Sequence, residues 1–222
     1  EFRRVPFRSE IVQNYDVDGI HMDDYFYPTF NSSNVNSAFD AKEYKASTMG
    51  KHKNGIVAFR RQQVNALVKA IHSAVKATKP NVTFGISPAG NIDNLTSKYS
   101  YYVDINKWLN SHDYVDYICP QIYWGFKHPY AKFDRVTKRW MKAAKSKKVK
   151  VYIGIAVYRA GHNTGASSSE RREWRSDANV LKKQVQYARK KGCDGFAFFD
   201  YQDLKSKTSA RAVKNLKKVL KR

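Results

Sequence analysis

Glutamate is scarce in this chain. Its five copies, Glu1, Glu10, Glu43, Glu170 and Glu173, are spread over 222 residues, and none ends an apolar, strand-like run. Carboxylate chemistry here must therefore draw mainly on aspartate. Cysteine is scarcer still: Cys119 and Cys193 both lie in apolar runs, so buried thiols are expected and the redox compartment stays open. No apolar run approaches the roughly 18 residues of a membrane span. The opening Glu1-Phe2-Arg3-Arg4 is followed by no apolar stretch, so no signal peptide is read in this chain. The six histidines lack ligand spacing such as His-Glu-x-x-His, and the two cysteines are far apart, so neither a metal nor a cofactor is expected. A Gly-rich phosphate loop is missing too. Acid is short overall, with 19 Asp and Glu against 41 Lys and Arg and a net charge of +22. Such a surface attracts polyanions. Its clusters, Lys145 to Lys148, Arg189-Lys190-Lys191 and Lys217-Lys218, fall on the ends and outer faces of expected helices. That placement argues against nucleic acid, which calls for a basic stripe with interleaved aromatics.

What the chain does have is a concentrated motif, Asp16-Val17-Asp18-Gly19-Ile20-His21-Met22-Asp23-Asp24-Tyr25-Phe26-Tyr27-Pro28. Ile20 and Met22 share one parity of a strand, His21 and Asp23 the other. In a barrel of parallel strands the apolar parity faces the helices and the other faces the mouth, where a carboxylate can meet substrate. Asp24 and Tyr25 then fall at the carboxyl end. Adjacent acids after an apolar run are costly to bury unpaired. Asp18 and Asp24 can be turn residues, but Asp23 sits inside the strand pattern.

Along the rest of the chain strand and helix alternate. Residues 1–15 predict a helix end, with the first eight or so residues irregular because of Pro6. A long connection, about 29–56, follows the motif. A helix over 57–78 carries the stripe Val64, Leu67, Val68, Ile71 and Val75. Strands are expected over 83–87, 114–124, 149–158 and 195–199, and helices over 104–110, 133–147, 177–191 and 210–220. Residues 91–102 and 159–176 are expected to be loops. Five such alternations imply parallel strands with crossover helices, an α/β fold. A closed barrel normally needs eight units and about 250 residues.

The motif at Asp18-Gly19-Ile20-His21-Met22-Asp23-Asp24-Tyr25-Phe26-Tyr27-Pro28 resembles the fourth-strand signature of glycosyl-hydrolase-like family ten, bacterial cell-envelope proteins related to glycosidase barrels. The resemblance runs from Glu10 to about Leu204. It includes Phe59-Arg60-Arg61-Gln62-Gln63-Val64-Asn65, Gly85-Ile86-Ser87-Pro88, Tyr117-Ile118-Cys119-Pro120-Gln121-Ile122-Tyr123-Trp124 and Tyr152-Ile153-Gly154-Ile155-Ala156-Val157-Tyr158. It implies a (β/α)8 TIM-barrel type, incomplete here, with about five units corresponding to strands four to eight. Residues 1–222 would form one glycosidase-like barrel domain whose amino-terminal units are missing; a self-contained open α/β sheet is the alternative. Missing units would leave the strands of Asp23 and Asp200 as open edges and expose apolar surface near Ile20, Ile118 and Phe198. More loosely, the motif is similar to chitinase-like and amylase-like barrels, in which the Asp matched by Asp23 is catalytic. The chitinase-like pattern has a Glu where this chain has Tyr25, which argues against a substrate-assisted mechanism.

Glycoside hydrolysis usually needs two carboxyl groups flanking one bond. Asp23 is the expected nucleophile or stabilising carboxylate. Its acid partner is left open among Asp24, Asp200, Glu173 and residues of missing units. Tyr25, Tyr27, Tyr123, Trp124, Tyr158 and Tyr201 fall at carboxyl ends of expected strands, where flat rings suit sugar faces. Gln121 shares parity with Tyr123, and His21 joins the substrate-binding set, although a hydrogen-bonded core histidine explains it as well. The resemblance implies a hydrolase of cell-envelope polysaccharide, such as peptidoglycan glycan strands, located outside the cell or in the envelope. An anionic wall polymer would be met by the basic surface. A non-catalytic wall-binding module is the alternative.

Overall fold

The computed structural model describes residues 5–23, 26–51, 55–146 and 148–220, so Asp24 and Tyr25 lie outside the described residues. In chain order the elements are α1 (Val5–Asn14), β1 (Gly19–Asp23), α2 (Ala41–Ala46), α3 (Gly55–Thr78), β2 (Thr83–Ser87), α4 (Ile92–Leu95) and α5 (Ile105–Leu109). Then come β3 (Tyr117–Ile118), α6 (Phe133–Ala143), β4 (Lys150–Ala156), α7 (Ser168–Ser176), α8 (Val180–Lys190), β5 (Gly195–Phe199) and α9 (Ala210–Leu220). The five strands are parallel and neighbour one another in sequence order, β1-β2-β3-β4-β5, with β1 and β5 at the edges. Parallel neighbours need a crossover after each strand, and helices fill every one.

Several details depart from expectation. The helix α1 starts at Val5, because Pro6 falls in its first turn, where a missing N–H leaves no helical bond unmade. The connections over 29–56, 91–102 and 159–176 contain α2, α4 and α7. On α3, Val64, Val68, Ile71 and Val75 are buried, but Leu67 is exposed; the buried face takes Arg60, Asn65 and His72 instead. Ile118 is fully buried, while Ile20 and Phe198 are only half-buried. Cys119 is buried and Cys193 half-buried, and burial pushes the Cys193 thiol up to about 11.

The chain forms two compact units. The first comprises Glu1–Ile86 with Ile92–Asp116. Its buried polar centre is Arg60, fully enclosed on α3. The Arg60 Nε and Nη2 donate to the two Asp40 carboxylate oxygens at 2.7 Å each, Nη1 donates to the Tyr102 hydroxyl at 2.8 Å, and Nη2 donates to the Val35 carbonyl at 2.9 Å. Its guanidinium lies 4.3 Å from the Phe30 ring centre and 5.1 Å from that of Tyr102. A planar fork with five donors can satisfy this many acceptors at once, which a lysine cannot. The result pins residues 30–40, a polar connection with little apolar area of its own, onto α3.

The second unit comprises Ser87–Asn91 with Tyr117–Arg222. Here β4 is buried along nearly its whole length and pairs in register with β5, Tyr152 opposite Gly195 through Ala156 opposite Phe199. The strand β3 is only two residues long because Pro120 has no N–H to give the ladder. Pairing resumes at once: Gly154 N–H donates to the Pro120 carbonyl at 3.0 Å, and Ile122 N–H donates to the Gly154 carbonyl at 3.1 Å. Gly154 permits this approach, since a Cβ there would stand 2.9 Å from the Pro120 oxygen and 3.2 Å from Gln121 Cα. Gly154→Ala is therefore expected to cost about 1–3 kcal/mol, or roughly 2–4 °C in Tm per kcal/mol for a chain of this size. A thermal unfolding curve superimposing on that of the parent chain would show that the backbones can part without penalty.

Candidate functional site

Asp23 ends β1 and is exposed, as is His21 two residues before it, while Ile20 and Met22, of the other parity, are half-buried. Beyond Asp23, Tyr27 is half-buried in the aromatic wrap of Arg60. Its ring stacks on Phe39 with centres 5.7 Å apart and meets Tyr102 edge-on at 5.3 Å. Burial first, and the Asp40 carboxylate next, push the Tyr27 phenol well above its usual value. These residues all belong to the first unit.

In the second unit, three aromatic rings come together at strand ends. Tyr123 follows β3, Tyr158 follows β4, and Phe199 ends β5. Tyr123 stacks near-parallel on Phe199 with centres 5.9 Å apart, and Tyr158 meets them edge-on at 6.0 and 6.2 Å. Phe199 is 53% exposed. Strand alternation along Gly195-Phe196-Ala197-Phe198-Phe199 is the cue to it in the sequence: Phe196 and Phe198 share one parity, half-buried and stacked on each other, and Ala197 and Phe199 take the exposed one. Gln121 is half-buried, and its Nε2 donates to the Ser87 carbonyl at 3.1 Å. Trp124 packs against the His128 ring at 5.9 Å, and its carbonyl accepts from Gln184 Nε2 at 2.9 Å. Asp200 follows Phe199 through a cis peptide bond and accepts the Asp203 N–H at 3.1 Å, fixing the turn after β5. Tyr201 is 67% exposed, with the Lys205 ammonium 4.2 Å above its ring.

The glutamates of α7 hold the loop after β3. Glu170 is fully buried, and its carboxylate accepts the Gly125 N–H at 3.0 Å, the Ala166 N–H at 2.7 Å and the Trp174 indole N–H at 3.3 Å. Burial alone would raise this carboxyl, but the three donors outweigh it and hold it below its ordinary value. Glu173 accepts Phe126 N–H at 3.2 Å and Lys127 N–H at 2.9 Å, and burial leaves its carboxyl raised. The sequence carries the cue in Ser167-x-x-Glu170: the Ser167 hydroxyl caps α7 by accepting the Glu170 N–H. Among the described residues no group of three or more His, Cys, Asp or Glu side chains is placed to hold a metal ion. Nor is any described helix long and apolar enough to cross a membrane.

Residues 6–176 match the model of the family described as glycosyl hydrolase-like 10. The chain belongs to that family. Among its relatives, glycosyl hydrolase YngK of Bacillus subtilis is 35% identical over 75% of this chain and 34% of that protein. Glycosyl hydrolase DigH of Escherichia coli is 32% identical over 80% of this chain and 41% of that protein. The chain thus spans about a third to two-fifths of the length of these curated relatives. The glycoside hydrolase domain of PgaB (BpsB) from Bordetella bronchiseptica shares the fold with TM-score 0.55 at 10% identity, covering 96% of this chain and 60% of that one. The catalytic domain of β-amylase from Paenibacillus polymyxa does so with TM-score 0.52 at 10% identity, covering 92% and 63%. Both likenesses speak to fold alone. The family-ten signature read at β1 and the order of five parallel strands agree with these matches.

Within this family member, the Glu170 clasp makes a pH-dependent contribution. A carboxyl whose folded pKa is depressed stabilises fully above its ordinary value of 4.5 and loses that contribution as pH falls through the folded value. Glu170→Gln is expected to lower stability near neutrality by about 1–3 kcal/mol and to flatten the acid-side loss. Urea midpoints measured for both proteins between about pH 3 and 7 test this. Curves that stay parallel would assign the charge no role.

Proposed function

We propose that this chain contributes the carboxyl-terminal part, about five β/α units, of the barrel of a glycosidase acting on bacterial cell-envelope polysaccharide, specifically the glycan strands of peptidoglycan, outside the cell or in its envelope. The observation that carries the reading is the exposed Asp23 at the carboxyl end of β1 in a family of glycosyl hydrolase-like proteins. In this reading Asp23 is the nucleophile or the carboxylate that stabilises developing positive charge on the sugar. Asp24 and Asp200 are the candidates for the acid that protonates the leaving oxygen. His21, Tyr25, Tyr27, Gln121, Tyr123, Trp124, Tyr158 and Tyr201 form the proposed sugar-binding set. Phe199 extends it, because its exposed ring is stacked and braced by Tyr123 and Tyr158, so a sugar face can dock on it at little entropic cost.

A second reading, a non-catalytic polysaccharide-binding module, is favoured by one observation. Glu170 and Glu173, the glutamates of α7, are engaged with backbone N–H groups, so neither is left over to move a proton to sugar. The two readings separate on incubation of the 222-residue chain with peptide-free glycan strands. New reducing ends support the glycosidase, and binding without product supports the module. Where product forms, Asp23→Asn is expected to reduce its rate by roughly 10²–10⁴-fold with affinity little changed; unaltered turnover would remove Asp23 from the mechanism. Phe199→Ala should weaken glycan binding roughly three- to tenfold.

A further inference from the structure

A groove of about 900 Å³ is bounded by the loop after β3 and by α7 and α8, all in the second unit. Two rings, Phe126 and Tyr187, and four cations, Lys127, Arg172, Lys183 and Lys190, line it. The rings are braced: Phe126 meets Tyr187 edge-to-face at 6.2 Å and is backed by Phe133 at 5.3 Å. Both are half-buried, and the cations are exposed. Two carboxylates also reach the groove, and each is already engaged. Glu173 accepts the Phe126 and Lys127 N–H groups, and Asp177 pairs with Lys183 at 2.6 Å and accepts the Asn179 N–H at 2.9 Å. Among the described residues, Lys127, Arg172 and Lys190 make no ion pair. Four cations against two carboxylates leave the groove net positive, and three of those cations, in no ion pair, stand around two fixed rings in a volume typical of sites for small molecules.

We propose that this groove binds an anionic segment of polysaccharide, with sugar rings against Phe126 and Tyr187 and acidic substituents on Lys127, Arg172 and Lys190. The choice of sugar rests on the polysaccharide reading above; the choice of an anionic one rests on the groove alone. Nucleic acid is the poorer fit. Successive bases stack on ring faces presented side by side, whereas Phe126 and Tyr187 meet edge-to-face. The site would hold the acidic polymer on the helical layer of the second unit.

The test is calorimetric titration of the 222-residue chain with a short oligogalacturonate, a neutral oligosaccharide of equal length and a single-stranded oligonucleotide. The groove triple variant Lys127→Gln/Arg172→Gln/Lys190→Gln is compared with Lys138→Gln/Lys142→Gln/Lys145→Gln, which removes equal charge from exposed positions on and just after α6. Oligogalacturonate affinity should fall about tenfold or more in the first and change less than about twofold in the second. Equal losses in both triples, equal binding of the neutral oligosaccharide by the parent chain, or groove-dependent binding of the oligonucleotide tighter than that of the sugar would each overturn the proposal. The Tyr187→Ala variant, which leaves every charge in place, should also weaken the sugar, and unchanged binding there would count against it. None of these readouts needs turnover. Groove-dependent binding without glycan cleavage would leave this site standing while the glycosidase reading fell.

Discussion

The close approach of the backbones at Gly154 is the constraint on which the second unit depends. A parallel strand beside a proline must find a way past a residue with no N–H. Here the strand on the other side supplies it: Gly154 gives its N–H to the Pro120 carbonyl and its own carbonyl receives Ile122 N–H. With the pairing restored, Gln121 and Tyr123 keep the alternation that a two-residue β3 would otherwise have lost. Tyr123 then meets Tyr158 and Phe199 at the ends of the next two strands. An aromatic cluster proposed to bind sugar is therefore a consequence of one hydrogen-bonded detour in the main chain.

The long connections follow a different rule. They are polar and cannot be held by apolar burial, so they are held by enclosed charge. In the first unit Arg60 gathers Asp40, Tyr102 and the Val35 carbonyl, and in the second Glu170 and Glu173 gather N–H groups from residues 125–127 and 166. A buried charge surrounded by hydrogen-bond partners contributes little net stability against an apolar replacement, but it is costly to leave unpaired. Each cluster thus admits one arrangement of its loop. That is useful where loops must present side chains to a ligand.

This economy bears on the chemistry. The chain has few glutamates, and the two on α7 are committed to holding loops. The proposed catalysis therefore rests on aspartate, and Asp23 ends β1 on its exposed parity. The basic surface has a similar division: Lys183 is neutralised locally by Asp177, whereas Lys127, Arg172 and Lys190 are not.

Much was legible in the residues themselves. The apolar runs at 83–87, 149–158 and 195–199, the stripe on α3 and the alternation of strand with helix depend on local periodicity, which burial on one or two faces imposes directly. The family signature around Asp23 is likewise a property of contiguous residues. Other features come from contacts between residues far apart in sequence, which periodicity does not encode. Leu67 fits the apolar stripe of α3 but is exposed, because Arg60, Asn65 and His72 take the buried face. Glu173 looked like a loop acid available to substrate until the tertiary fold brought Phe126 and Lys127 N–H groups, some 46 residues away, onto its oxygens. Phe199 was one phenylalanine among several until β5 paired with β4 and turned it, rather than Phe196 or Phe198, toward Tyr123. Sequence by itself determined the strands, the long helices and their order, since these follow from near-neighbour sterics and apolar spacing. Which charged groups are engaged and which stand open was decided only by the tertiary structure, because hydrogen-bond partners are chosen by proximity in space.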